Sequence, residues 1–231
     1  RIQEFLKNVG SSDCRATLRA LQMDVLVNYD LSLAYFKDMA ESKAMHPEGA
    51  WEEFFELSIL EYEFAFWQWN SDCAKIPSSD SDLKAKVEHL FQVGSPDFFS
   101  QETRKDLFPF FFQSYSEMGM YGYSVGGLES LTRFFKQNVS NKNTFIPDSY
   151  DLDYSSRTHK EVKSRLDSLG KHMMYIQGEF DPWSSTRYVP TDQTDSRLFI
   201  VEKGNHKSRI KDLPPSDREA IRDSLMRWMK Y

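Results

Sequence analysis

Two residues near the end of this 231-residue chain are placed to do chemistry together, Asp181 and His206. The run His172-Met173-Met174-Tyr175-Ile176-Gln177-Gly178 has no polar alternation, as a strand covered on both faces does. It gives way to Glu179-Phe180-Asp181-Pro182-Trp183-Ser184, where Pro182 biases Asp181 away from the helical region. The carboxylate is thereby placed on a loop at the carboxyl end of a buried strand, where open α/β sheets put ligands. Leu198-Phe199-Ile200-Val201 reads as the next strand. Glu202-Lys203-Gly204-Asn205-His206 is the loop leaving it, with the histidine 25 residues after the acid (206 − 181). An acid followed by a histidine is the latter part of a Ser…Asp…His order. In such a triad the histidine takes the serine proton, and the aspartate fixes the tautomer and supports the imidazolium. Either residue alone reads equally well as a turn cap or a solvent-facing loop histidine. As an ordered pair they predict a carboxylate within hydrogen-bonding reach of the ring.

The elements that must position this pair follow from the apolar spacing. Ser11-Ser12-Asp13 supplies N-cap candidates for a helix through Leu18, Leu21 and Val25. Asn28-Tyr29-Asp30 breaks it from a second helix carrying Leu31, Tyr35 and Met39. After a turn at Pro47-Glu48-Gly49, the positions from Trp51 to Trp69 predict a long amphipathic helix whose second stripe holds Glu61, Glu63 and Gln68. Ser81-Asp82 opens another helix, which Gly94-Ser95-Pro96 ends. Arg104 to Met118 is aromatic-rich and helical after Pro109. Ser140 to Asn143 and Pro147 to Ser149 mark loops. Thr158 to Leu169 predicts a short helix with Val162, Leu166 and Leu169 on its apolar edge. Ser216 and Glu219 form a capping box for a last helix with Ile221, Leu225, Trp228 and Met229 inside.

Gly122-Tyr123-Ser124-Val125-Gly126 matches the Gly-x-Ser-x-Gly pattern of a nucleophile elbow. The elbow must follow a buried strand directly. The residues before it, Ser114 to Tyr121, include a charge and a glycine. The acid also comes only 57 residues later (181 − 124). Ser124 is therefore the lesser candidate, and a helix-start turn before Leu128, Leu131, Phe134 and Phe135 is the simpler reading.

The net charge of −6 and the lack of a basic block argue against a nucleic-acid partner. No apolar run approaches the ~18 residues of a membrane span, so no membrane partner is expected. The five histidines are scattered, and none stands at ligand spacing from a cysteine or carboxylate. There is no phosphate-binding glycine loop. Neither a metal nor a cofactor is expected.

The stretches Gly178 to Ser184 (GEFDPWS) and Asn205 to Ile210 (NHKSRI) resemble the acid and histidine motifs of the secreted bacterial tripeptidyl aminopeptidases. That family consists of serine peptidases of the α/β-hydrolase superfamily, related to the prolyl carboxypeptidases. Glu61 to Trp69 (EYEFAFWQW), Asp72 to Pro77 (DCAKIP) and Phe112 to Tyr123 (FQSYSEMGMYGY) resemble it as well, so the likeness runs from about Cys14 to Ile210. It implies an α/β fold: the C-terminal part of an α/β-hydrolase core, residues 161–231, behind a large, mostly helical cap, residues 1–160. It implies a serine exopeptidase that cleaves short peptides from free N-termini, with Asp181 and His206 catalytic. The family's serine lies on an upstream Gly-x-Ser-x-Gly-Gly elbow, so the nucleophile is expected outside this chain, which reads as a fragment. The alternatives are an esterase or lipase using Ser124, and a non-catalytic helical binding fragment.

Reading a free N-terminus calls for a carboxylate to meet the ammonium. Glu61 and Glu63, beside Trp67 on the most aromatic helix, are the substrate-binding candidates, although both also read as ordinary solvent-facing residues. Cys14 and Cys73 are either two buried thiols or a disulfide. Because the resembling family is exported, the likeness favours a disulfide and a secreted or periplasmic protein.

Overall fold

The structure, a computed structural model, describes residues 1–70, 72–139, 145–146 and 149–230. It is mostly helical with one small parallel sheet, a mixed α/β arrangement. Helices α1 (Ile2–Leu6), α2 (Ser12–Val27), α3 (Tyr29–Ser42), α4 (Trp51–Ala65), α5 (Leu83–Val93), α6 (Gln101–Asp106) and α7 (Phe108–Gln113) come first. They are followed by α8 (Arg157–Leu169), β1 (Met174–Gly178), β2 (Arg197–Val201) and α9 (Pro215–Trp228). The breaks fall where the sequence marks them. Ser11 caps α2 by accepting from the Cys14 N–H, Asn28 separates α2 from α3, and Asp82 caps α5 through the Ala85 N–H. Of the predicted loops, Ser140 to Asn143, Pro147 and Asp148 lie outside the described residues.

The centre of the helical part is α4, and here the structure corrects the amphipathic expectation. From Phe54 to Ala65 every residue except Glu63 is buried, because α3, α5 and the short turn Pro96–Phe99 pack around it. A helix apolar on nearly all sides belongs inside a core. Its buried polar groups are consequently paired. Glu56 accepts from the Tyr29 hydroxyl at 2.7 Å and from the backbone N–H groups of Arg133, Phe134 and Phe135 at 2.6–2.9 Å. This carboxylate fastens the 133–135 loop to the helix. Beyond Ala65 the helix widens into a π turn, Phe66–Asn70. The next turn, Cys73–Lys75, is tied back to α2 by the disulfide Cys14–Cys73, whose Cα atoms are 5.6 Å apart.

β1 and β2 pair in parallel, Met174 opposite Arg197 through Gly178 opposite Val201. Phe199 and Val201 face Leu213 and Ile221 in a second, smaller apolar cluster under α9. The strands are not covered on both sides as their composition predicts: Met174 to Gln177 are each half-buried. Three other expectations change. No side chain caps α9, which starts at Pro215, so the Ser216–Glu219 box does not form. The inner face of α9 is Ile221 and Ser224, while Leu225 and Met229 are exposed. Likewise α8 forms as predicted, but Val162 and Leu169 on its apolar edge are exposed.

The disulfide spans 59 residues of sequence and holds the Cys73–Lys75 turn, which follows the π turn, against α2. Removing it frees the unfolded chain, a change worth about 4 kcal/mol for a loop of this length. Cys14→Ser together with Cys73→Ser should lower the unfolding free energy by about that amount in urea, and a reducing agent should lower the wild type equally.

Candidate active site

Asp181 and His206 meet because the loops after β1 and β2 lie against each other. A Cβ on residue 178 would collide with the carbonyl oxygens of Gly204 and Asn205, so only glycine permits this approach. Across it, Glu179 N–H donates to the Val201 carbonyl at 3.0 Å and Phe180 N–H to the Gly204 carbonyl at 2.7 Å. The Glu179 carboxylate accepts from the backbone N–H of Lys203 at 2.7 Å and so steadies a turn in which that lysine has φ +51°. A left-handed conformation at a lysine is unfavourable unless its surroundings hold it.

The Asp181 side chain is buried and both of its oxygens are engaged. Oδ1 accepts from the Trp183 N–H at 3.1 Å as the cap of the 3₁₀ turn Pro182–Thr186. Oδ2 lies 2.7 Å from His206 Nδ1. A carboxylate opposite Nδ1 places the ring proton there and leaves Nε2 as the basic nitrogen. The His206 side chain is 43% exposed against 9% for Asp181, so the acid is sheltered and the base is open.

The π turn of the helical part grips the same loop. His206 N–H donates to the Gln68 carbonyl at 3.0 Å, and the Asn205 side-chain amide donates to the Trp69 carbonyl at 3.1 Å. The Trp69 ring meets the imidazole edge-on, centroids 5.1 Å apart. Widened helical turns free carbonyls for such contacts and often occur at functional sites.

His206 lines a cavity of about 740 Å³ that runs back to Glu61. Phe64, Tyr121 and Trp183 form an aromatic box along it, with Phe64 stacked on Tyr121 at 4.2 Å and Trp183 edge-on to both. The Tyr121 hydroxyl donates to the Glu61 carboxyl, 3.0–3.1 Å from its two oxygens. Burial pushes the Glu61 carboxyl up to about 8, although the hydroxyls of Tyr123 and Tyr121 favour its ionised form. Burial is the larger influence, so at neutral pH the protonated form of Glu61 is favoured.

The other predicted residues lie elsewhere. Glu63 is half-buried on a different side of α4, among Arg19 and Arg15, and does not line the cavity. Burial raises its carboxyl while those guanidiniums lower it. Trp67 is fully buried and packs edge-on to Phe180 and Phe66. Its ring occupies the space a Cβ at Gly10 would need. It is a core residue that supports the Asp181 loop from beneath, and the expectation that it touches substrate is corrected.

Ser124 is exposed, and its Oγ accepts from the Gly126 N–H at 3.2 Å. Arg19 of α2 donates to the Gly126 carbonyl beside it. Tyr123 forms one isolated antiparallel bridge with Val139, and turns follow where a helix from Leu128 was expected. An elbow needs a strand before the serine and a helix after it, and Ser124 has neither. Ser124 is also not among the residues lining the cavity with His206.

Residue types and spacing alone do not single out Tyr121, Trp183 or the Gln68 carbonyl. Trp183 was signalled by its place after Asp181-Pro182, and Tyr121 by the aromatic density of its segment. Nothing local in the sequence marked the π turn. Among the described residues, no group of three or more His, Cys, Asp or Glu side chains converges on a metal position.

A family model described as PS-10 peptidase S37 matches residues 2–230 of the chain. No curated protein and no solved structure matches it.

The Glu61 carboxyl titrates near 8 when folded, against an ordinary value of 4.5. Because the folded value is the higher one, its contribution to stability is complete below about pH 4.5 and is lost as pH rises through about 8. Glu61→Gln should therefore lose less stability than the wild type between pH 5 and pH 8 in denaturant unfolding. Parallel pH profiles for the two proteins would show that Glu61 is ionised throughout.

Proposed function

Since the chain belongs to the PS-10 peptidase S37 family, a family of serine peptidases, we propose that it is the acid-and-base part of a serine exopeptidase that removes short peptides, tripeptides in the first place, from free N-termini. The observation that carries this reading is the Asp181–His206 hydrogen bond at the mouth of a cavity whose inner end holds a buried carboxyl. His206 Nε2 takes the proton from a serine hydroxyl as it attacks the scissile carbonyl, then delivers it to the leaving amine. Asp181 supports the imidazolium formed between these steps. Water then releases the peptide by the same route in reverse. Among the described residues Asp181 is the side chain hydrogen-bonded to the His206 ring, which fits a serine carried by a segment outside these residues.

In this reading β1, β2 and α9 belong to an α/β-hydrolase core from about residue 161. The preceding helices form a cap over its catalytic face. The half-buried strands and the exposed apolar edge of α8 support it, since both leave surface for a larger core to cover. Glu61 reads the substrate ammonium. An approaching cation offsets the burial that keeps this carboxyl protonated, so binding ionises it and forms a charged hydrogen bond. The disulfide supports an exported protein, because such bonds persist in oxidising compartments.

Fluorophosphonate labelling of the full-length protein, with the modified serine mapped by mass, tests the assignment. The label should fall on a serine other than Ser124; a label on Ser124 would make the chain an esterase-like hydrolase complete in itself. In the full-length enzyme Asp181→Asn should reduce kcat by about 10³–10⁴-fold. Glu61→Gln should raise KM for free-amine peptides roughly 10- to 100-fold, the loss of one charged hydrogen bond, and leave N-acetylated analogues nearly unchanged. Equal losses on both substrates would exclude Glu61 as the ammonium partner.

A further inference from the structure

The cavity between His206 and Glu61 is larger than an ammonium needs, and its walls are largely apolar. At about 740 Å³ it is of the size that takes a drug-sized ligand. Phe64, Phe98, Met120 and Trp183 line it. At its rim Phe110 and Met118 are 45% and 59% exposed, apolar surface that a ligand would cover. The ionisable side chains lining it are Glu61, Asp97, Tyr121 and His206, and among the described residues no lysine or arginine does.

That distribution sorts peptides by charge. An ammonium meets Glu61. Apolar side chains lie against rings and thioethers. An acidic side chain entering the same space would give up its water without meeting a fixed cation, with two carboxyl groups nearby, and an unpaired buried charge is strongly disfavoured. We infer that this cavity selects peptides whose first residues carry aromatic or long aliphatic side chains and rejects peptides whose first residues are acidic. The inference rests on the reading of Glu61 as the partner of the substrate ammonium, which fixes the peptide's direction in the cavity.

The full chain titrated calorimetrically with Phe-Phe-Ala, Glu-Glu-Ala and N-acetyl-Phe-Phe-Ala tests it without requiring turnover. Phe-Phe-Ala should bind roughly 10- to 100-fold tighter than Glu-Glu-Ala, the change brought by burying one or more such side chains. Met118→Lys, which brings a cation to the rim, should narrow that gap by strengthening Glu-Glu-Ala, with its thermal unfolding unchanged. Equal affinities for the two free peptides, an unchanged gap in Met118→Lys, or no binding of Phe-Phe-Ala would overturn the inference. The acetylated peptide reports separately on Glu61. If it binds as tightly as its free counterpart while the side-chain preference holds, the ammonium reading fails and the selectivity for apolar side chains stands.

Discussion

Everything at the candidate site depends on two loops lying closer than side chains normally allow. The carbonyls of Gly204 and Asn205 occupy the space a Cβ would take at residue 178. That approach lets the Phe180 N–H reach Gly204 and sets Asp181 Oδ2 2.7 Å from His206 Nδ1. The pairing of β1 with β2 brings the loops side by side, and a glycine at the end of the first strand lets them touch. An alanine there would push the His206 loop off Asp181 although it alters neither side chain of the pair.

The helical part supplies what the loops cannot. α4 runs through a hydrocarbon core carrying two buried carboxyl groups, and the two are treated differently. Glu56 receives three backbone N–H groups and a tyrosine hydroxyl and is spent on structure. Glu61 is held by Tyr121 at the inner end of a cavity and is kept protonated by burial. A buried carboxyl with capacity to spare is what an incoming cation can use. The same helix ends in the π turn whose Gln68 and Trp69 carbonyls hold the His206 loop, and the disulfide anchors the turn that follows. One element thus sets the distance between His206 and the carboxyl proposed to read the substrate.

Much of this was legible in the sequence where local chemistry decides it. Pro182 after the acid, the apolar runs before each loop, Ser11 and Asp82 as caps and the break at Asn28 all read correctly, because each acts on its own neighbours. What tertiary packing decides was not legible. Glu61 and Glu63 are two positions apart and so point about 200° apart on a helix. Nothing local says which side faces a cavity and which faces Arg15 and Arg19. Trp67 looked like a binding residue because aromatic density on a helix signals contact without saying with what, and here it packs beneath Phe180. Ser124 shows the converse. Its pattern is complete in sequence, yet an elbow is made by the strand and helix around it, and those are absent at this position.

The central claim, that a sheltered Asp181 orients His206 as a base, is tested most directly by the protonation of the ring itself. Nitrogen-15 spectra of the histidine-labelled protein at neutral pH distinguish the two neutral tautomers and need no nucleophile or substrate. The account predicts that His206 carries its proton on Nδ1, with a downfield-shifted ring N–H that disappears in Asp181→Asn. A neutral His206 protonated on Nε2, or a spectrum indifferent to Asp181→Asn, would contradict it.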